Sequence, residues 1–428
     1  MTRSKFRDVL WLLTGAALLL ESATAQGTLK GNRDVARGIA EGVAKVLEKK
    51  FYDPQMKGVD WKTSLTDAEA KISAANDVGE MYGAVDEMVQ KLDDSHTRFL
   101  PPWQTKRPKF DFEMKPYGEI LRIYQVKDKG PAAQAGLKVG DTVIGIDGIR
   151  ADRKRYLHTL AYYRFIQPAA VMVLDLLRDG KQERITLQAD IHTRFGLEMS
   201  YDVSHFIDAV REAESFEEEH RFECAIRDGI GYVKVPNFEV DTAEKTLWKV
   251  KDARALIVDL RGNLGGTTSV LERFSGYFHK DETEILKSMM RDKTEEMIAK
   301  PRQPSFWDIP VVVLVDSESA SASEIFARHM QLTGRGVVIG DKTMGAVSVS
   351  EPVAQKIGAD PAVIYGVQVT IGRAIFPDGQ DIEKVGVTPD MMCIPTAYAL
   401  AQKKDPCLDM ATQTLKEKLN QPASAAQK

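Results

Sequence analysis

Four apolar runs, rich in β-branched residues, punctuate the second half of the chain at residues 230–235, 255–260, 311–315 and 337–339. Apart from Lys234 and Asp259, each is apolar at consecutive positions instead of alternating. A strand of that kind needs cover on both faces, which a sheet in an open α/β layer receives from flanking helices. Helix-compatible segments separate the runs, so residues 228–392 are expected to form such a layer. The ends of its strands are then the places to look for chemistry.

The first half has a different texture. Ile39, Val43, Val46, Leu47 and Phe51 recur at helical spacing, as do Met81, Val85, Met88, Val89 and Leu92, so 32–92 reads as helices with one apolar face. Asp93-Asp94-Ser95-His96 ends that pattern, and Pro101-Pro102 marks an extended exit. Residues 111–190 carry short β-rich runs around a turn-rich centre. A length of 428 residues, 43% hydrophobic and 28% charged, suits a multidomain soluble protein. The net charge of -4 provides no broad basic surface for nucleic acid.

Arg3, Lys5 and Arg7 precede an apolar run at 9–20, and Ala23-Thr24-Ala25 has the form of a cleavage site. Residues 1–25 therefore read as a secretory signal peptide, with a retained anchor as the alternative. The run is short for a bilayer, and no later run reaches spanning length. The expectation is a soluble periplasmic or secreted protein with no stable membrane insertion. An oxidising destination permits a disulfide. Cys393 and Cys407 are the expected pair, which leaves Cys224 as a buried free thiol. No cysteine and histidine spacing suits zinc, and no metal or other cofactor is expected.

The centre of the β-rich segment, 130–148, reads GPAAQAGLKVGDTVIGIDG. A short Ala-rich helix, a Gly stop, a Gly-Asp turn and an alternating strand follow in order. This resembles the PDZ domain, a fold that binds extended peptides by adding a strand to a sheet edge. The resemblance implies a carboxylate-binding loop near Tyr117, Gly118 and Glu119 and a groove strand starting at Ile120.

Two motifs lie at strand ends. Asp259-Leu260-Arg261-Gly262-Asn263-Leu264-Gly265-Gly266 follows the second run; its paired glycines let the backbone turn with N–H groups outward. Asp316-Ser317-Glu318-Ser319-Ala320-Ser321-Ala322-Ser323-Glu324 follows the third and leads into a helix anchored by Ile325, Phe326 and Met330. Taken alone, Ser321 to Glu324 is a capping box, and Ser321 an N-cap.

Together, after a PDZ-like segment, these motifs resemble the S41 peptidases, the carboxyl-terminal processing and tricorn-core proteases. The likeness extends to Gly386-Val387-Thr388-Pro389-Asp390. It implies an α/β multidomain protein: signal peptide 1–25, helical region 26–110, PDZ domain 111–190, a ClpP/crotonase-like S41 core 191–395 and a helical tail 396–428. It implies Ser321 as nucleophile, with the oxyanion held by the N–H of Ala322 and that of Gly265 or Gly266. The lysine of the Ser-Lys relatives falls at Ala346 and their glutamine at Ser350. Three readings of the base remain. His96 takes the proton with Glu383 orienting it, in the tricorn manner; Lys342 substitutes from a neighbouring position; or the site is degenerate and the protein holds peptides without cutting them. The expected reaction is peptide-bond hydrolysis through an acyl-enzyme on polypeptide substrates, with a homo-oligomer left open. His329, two helical turns past Ser321, is too far along its helix to serve. His158, His192, His205, His220 and His279 belong to no motif. Asp259, Arg261 and Asp390 read as structural.

Overall fold

The computed structural model describes residues 5–102, 106–154, 156–193, 222–238, 242–358 and 362–420. Helix α1 (Lys5–Lys50) is continuous, with side chains described from Thr28 onward, so the expected cleavage site and basic n-region lie outside the described side chains. Helices α2 (Trp61–Ala74) and α3 (Val78–Gln90) start at Asp60 and Asp77, whose carboxylates accept from Thr63 N at 3.0 Å and Glu80 N at 2.8 Å. Such caps satisfy N–H groups that the first turn leaves free. The expected apolar faces of α1 and α3 meet in one cluster, and Tyr365, Val367 and Val369 of a core strand complete it. The helical region is therefore built onto the core sheet. Strand β1 (Arg98–Leu100) joins the same sheet through Gly366, Val367 and Gln368.

Strand β2 (Lys106–Lys109) leads into the PDZ segment. There β3 (Phe112–Tyr117), β4 (Ile120–Val126), α4 (Pro131–Gln134), β5 (Thr142–Ile146), β6 (Ile149–Arg150), α5 (Tyr156–Ala161), β7 (Val171–Arg178) and β8 (Lys181–Gln188) follow in turn. The sheet order is β3-β4-β5-β7-β8. Strand β9 (Asp190–Thr193) pairs with β2 into a two-stranded ribbon at the domain's base.

The structure corrects the expected peptide-binding residues. Tyr117 and Ile120 pair across a hairpin whose turn is Gly118-Glu119, with Gly118 at φ 62°. Tyr117 and Gly118 thus form a turn between strands, not a loop open to a carboxylate. Ile120 begins β4, which has β3 on one side and β5 on the other. An interior strand has no free ladder edge, so the strand available for augmentation on that side is β3.

The core begins with β10 (Glu223–Arg227) and β11 (Ile230–Lys234), then α6 (Thr242–Lys249), β12 (Ala255–Asp259) and α7 (Thr268–Ser275). Next come β13 (Thr283–Met290), β14 (Thr294–Ala299), β15 (Val311–Val315), α8 (Ala322–Leu332) and β16 (Val337–Gly340). Last are β17 (Val349–Ile357), β18 (Val363–Ile375), β19 (Met391–Met392), α9 (Ala397–Ala401) and α10 (Pro406–Asn420). The four apolar runs are β11, β12, β15 and β16, adjacent and parallel in a sheet ordered β10-β11-β12-β15-β16-β19. Every residue of β12 and β15 is buried. Residues of α6, α7 and α8 cover one face and those of α10 the other. A second, antiparallel sheet ordered β1-β18-β13-β14, with β17 on β18, closes the core against the helical region. Cys393 and Cys407 form the expected disulfide, which ties the end of β19 to α10. Cys224 is free but only half-buried, because it lies on the edge strand β10.

Candidate active site

Ser321 sits where β15 hands over to α8. Its backbone has φ 53° and ψ -119°, a conformation that L-residues rarely adopt and that persists only when surroundings impose it. Two constraints impose it here. Ser321 N donates to Ala346 O at 2.6 Å and to Glu324 Oε2 at 3.1 Å. Ala320 N, one residue before, donates to Asn263 O at 3.0 Å. The expected capping box is thus present, with Glu324 returning to the Ser321 amide. Ser321 lies at the positive end of α8.

The Gly-rich loop is locked from beneath. Asp259 is fully buried; Arg261 Nε and Nη2 reach its two oxygens at 3.0 and 2.7 Å, and Tyr232 Oη donates to it at 2.9 Å. Burial pushes the carboxyl of Asp259 up, but Arg261 and Lys234 outweigh it and hold it well below the usual range. Arg261 also holds both oxygens of Asp405, at 2.8 Å each. Asp405 immediately precedes α10, and no sequence motif marked it. Asn263 is fully buried and ties the loop together, donating to Val235 O at 2.8 Å and accepting from Gly265 N at 2.7 Å.

That last bond corrects part of the expected oxyanion hole. The Gly265 amide is turned inward to Asn263, while among the described residues neither Gly266 N nor Ala322 N has an acceptor. Both glycines are required by close approach. A Cβ on Gly265 would lie 2.7 Å from Ser321 Cβ, and one on Gly266 would lie 2.5 Å from the Phe238 carbonyl carbon. Their φ values, 110° and 146°, also lie where side chains are strained.

Segment 343–348 joins Ser321 to Glu383. Ala346 accepts from Ser321, and Val347 N and Ser348 N donate to Glu383 Oε2 at 3.0 and 3.2 Å. Ser348 Oγ donates to the same oxygen at 3.1 Å. The other oxygen, Oε1, is buried without a partner. Lys384, the next residue, forms an ion pair with Asp93 of the loop that carries His96. Asp94 anchors that loop by accepting from His96 N at 3.2 Å, from Thr97 N at 3.0 Å and from Thr370 Oγ1. His96 Nδ1 lies 2.9 Å from Ser95 Oγ, and no hydrogen bond joins the imidazole to Ser321 or Glu383 in this form. Desolvation lowers the His96 pKa, against an upward pull from Glu383 and then Asp94.

The remaining candidates fall elsewhere. Ala346 lies beside Ser321 but brings no amine. Lys342 sits at a domain seam, its carbonyl taken by Arg153, and makes no bond to Ser321. His329 pairs with His279, Nε2 to Nε2 at 2.7 Å, inside the core. His158 of α5 contacts Asp86 of α3 at 2.8 Å. Asp390 accepts from Val338 N at 2.7 Å and Gln331 Nε2 at 3.0 Å, the structural part expected of it. The side chain of His192, and residues His205 and His220, lie outside the description.

Sequence reading missed the seam between the PDZ domain and the loop before Ser321. Lys115 of β3 is buried, 2.9 Å from Asp316 and 3.2 Å from Glu318. Ser317 Oγ donates to Pro116 O at 2.6 Å. Arg153 donates to Gly118 O at 2.8 Å and lies 3.3 Å from Asp341, which accepts from Gly118 N at 2.8 Å. The lone signal was a lysine within an otherwise inward-facing strand.

Comparison with known proteins agrees with this architecture. The model of peptidase family S41 matches residues 229–393, and that of the PDZ domain matches 106–188. A carboxyl-terminal-processing protease of Picosynechococcus sp. is 25% identical over 357 residues, 78% of this chain and 80% of that protein. The crystal structure of mature CPAF has the same fold, at a TM-score of 0.66 and 12% identity, over 92% of this chain and 99% of that one. So has a photosystem II D1 C-terminal processing protease, at 0.51 and 19%, over 86% and 97%. No helix among the described residues is long and apolar enough to cross a membrane. With its mixed α/β core and its strand-to-helix serine, the chain carries a PDZ domain and a family S41 peptidase domain, and it is similar over most of its length to the carboxyl-terminal processing proteases.

Proposed function

We propose that the protein is an exported endopeptidase that cuts polypeptides through an acyl-enzyme, with Ser321 as nucleophile, His96 as general base and Glu383 orienting the imidazole. The observation that carries this reading is the chain of contacts that links three segments. Ser321 starts helix α8 with its amide on Ala346, the Glu383 segment is bonded to residues 347–348 beside it, and the His96 loop is paired to Lys384. Export rests on the leader-like N-terminus.

In the acylation step the imidazole leaves Ser95 and takes the Ser321 proton as Oγ attacks the scissile carbonyl. The tetrahedral oxyanion is held by the N–H groups of Ala322 and Gly266. Glu383 Oε1, a buried acceptor without a donor, receives the other imidazole N–H and favours the imidazolium. The imidazolium then protonates the leaving amine. In deacylation water repeats the sequence, returning the proton to Ser321 Oγ. The PDZ domain engages an extended stretch of the substrate. Its edge strand β3 rests on the core in this form, so engagement there requires the seam at Ser317 and Lys115 to part.

The test is digestion of casein by the wild type beside Ser321→Ala and His96→Ala, with fluorophosphonate labelling of the same proteins. Cleavage and labelling are expected of the wild type, and Ser321→Ala should lose both. A folded wild type that neither cuts unfolded substrates nor takes the label would leave a peptide-holding protein.

A further inference from the structure

Glu324 was read from sequence as half of a helix cap, and the structure surrounds it with more than a cap requires. Its carboxylate is fully buried and accepts four hydrogen bonds. Oε1 takes Thr343 Oγ1 at 2.5 Å and Gly345 N at 2.7 Å. Oε2 takes Ala346 N at 2.8 Å and Ser321 N at 3.1 Å. The Thr343 oxygen also accepts from Val387 N at 2.6 Å, and its hydrogen points at the carboxylate. Three of the four donors come from the segment whose Ala346 carbonyl fixes the Ser321 amide.

We propose that Glu324 is a positioning residue for the nucleophile: its ionised carboxylate clamps segment 343–346 against α8 and thereby holds the strained backbone of Ser321. This rests on the serine-peptidase reading above. The physical requirement is for acceptors alone. Protonation, or replacement by a carboxamide, turns at least one oxygen site into a donor facing N–H or O–H groups. Burial pushes the Glu324 carboxyl up to about 7, against the pull of Thr343, Ala346, Gly345 and Ser321. No charged neighbour is bonded to it. On the segment before Thr343, Asp341 and Lys342 are held by Arg153. On the loop packed over Gly345, Glu383 faces Val347 and Ser348, and Lys384 faces Asp93. His96 contacts Ser95.

The signature is a loss of activity as pH falls through the Glu324 ionisation, separate from the imidazole. In folded Glu324→Gln, kcat and the labelling rate should fall by about 10- to 100-fold with KM within about twofold, and the Glu324 step of the acid limb of kcat should vanish, leaving the imidazole's own. Thr343→Val, which deletes one donor and leaves the acid, should move the Glu324 step to higher pH, with Thr343→Ser restoring it. A third readout is independent of activity. In 15N-serine-labelled protein the Ser321 amide resonance, identified by its loss in Ser321→Ala, should shift with the Glu324 titration, and Glu324→Gln should abolish the shift. Unchanged kcat and acid limb in folded Glu324→Gln, an unmoved limb in Thr343→Val, or a Ser321 amide indifferent to the titration would overturn the proposal. A wild type that neither cuts nor labels would sink the functional reading, and the amide titration would still decide the part played by Glu324.

Discussion

On the Ser321 side of the candidate site the backbone amide has two acceptors, Glu324 satisfies four donors, and Asn263 and Arg261 lock the Gly-rich loop. On the His96 side the ring touches only Ser95 by hydrogen bond, and one oxygen of Glu383 lies buried with no partner. The nucleophile's half comes from strand ends of one sheet and the segment bonded to them, so its geometry is set once the core folds. The base's half brings together the end of the α3 region and a loop after β18, joined by an ion pair between a half-exposed lysine and an exposed aspartate. Such a pair is weak and screened. On the proposed mechanism, one half is preorganised and the other closes around substrate.

The comparison can be broken by substitution. His96→Ala should remove the base outright, lowering kcat by about 10³-fold with the fold intact, as read by circular dichroism and steady-state kinetics. Glu383→Gln keeps the shape but removes the charge that pulls the imidazole pKa up. It should cost about 10²-fold in kcat and move the imidazole's own ionisation to lower pH, read by the chemical shifts of the His96 ring. Equal activity in either variant would mean that the open half is not the base.

The seam beneath the nucleophile loop sharpens the contrast. Lys115→Met would strand Asp316 and Glu318 without their cation. It should lower stability by about 2 kcal/mol in denaturant titration, less than for a fully dry pair because all three side chains keep some exposure. The smallest effect is expected from Asp405→Asn. Arg261 keeps Asp259, and Asp405 is more than a third exposed, so stability should change by about 1 kcal/mol or less. A modest drop in kcat at constant KM would show that the tail helix helps hold the oxyanion loop.

What the sequence could disclose follows the same division. The turn at Ser321 was legible because a strand and a capped helix meet in one short stretch, while its role as nucleophile came from family likeness. The parallel strands were legible because burial on both faces leaves mostly apolar residues at consecutive positions. The antiparallel pair β17 and β18 was not, since its burial is uneven and its partners are distant in sequence. Gly118-Glu119 was misplaced because a glycine after an aromatic residue serves equally as a binding loop and as a hairpin turn. His96 and Glu383 came from family likeness, as no local pattern links them. Glu324 was half-read. Ser-x-x-Glu announces the cap, but the donors that make its carboxylate more than a cap arrive through tertiary contact.

The central claim is that the open half closes onto Ser321. A structure of the protein with a peptide boronate bound would measure it directly. The account predicts a bond from Ser321 Oγ to boron, an imidazole nitrogen of His96 within hydrogen-bond reach of that oxygen, and a donor newly seated on Glu383 Oε1. An adduct in which His96 still faces Ser95 and Glu383 Oε1 remains unpartnered would contradict it.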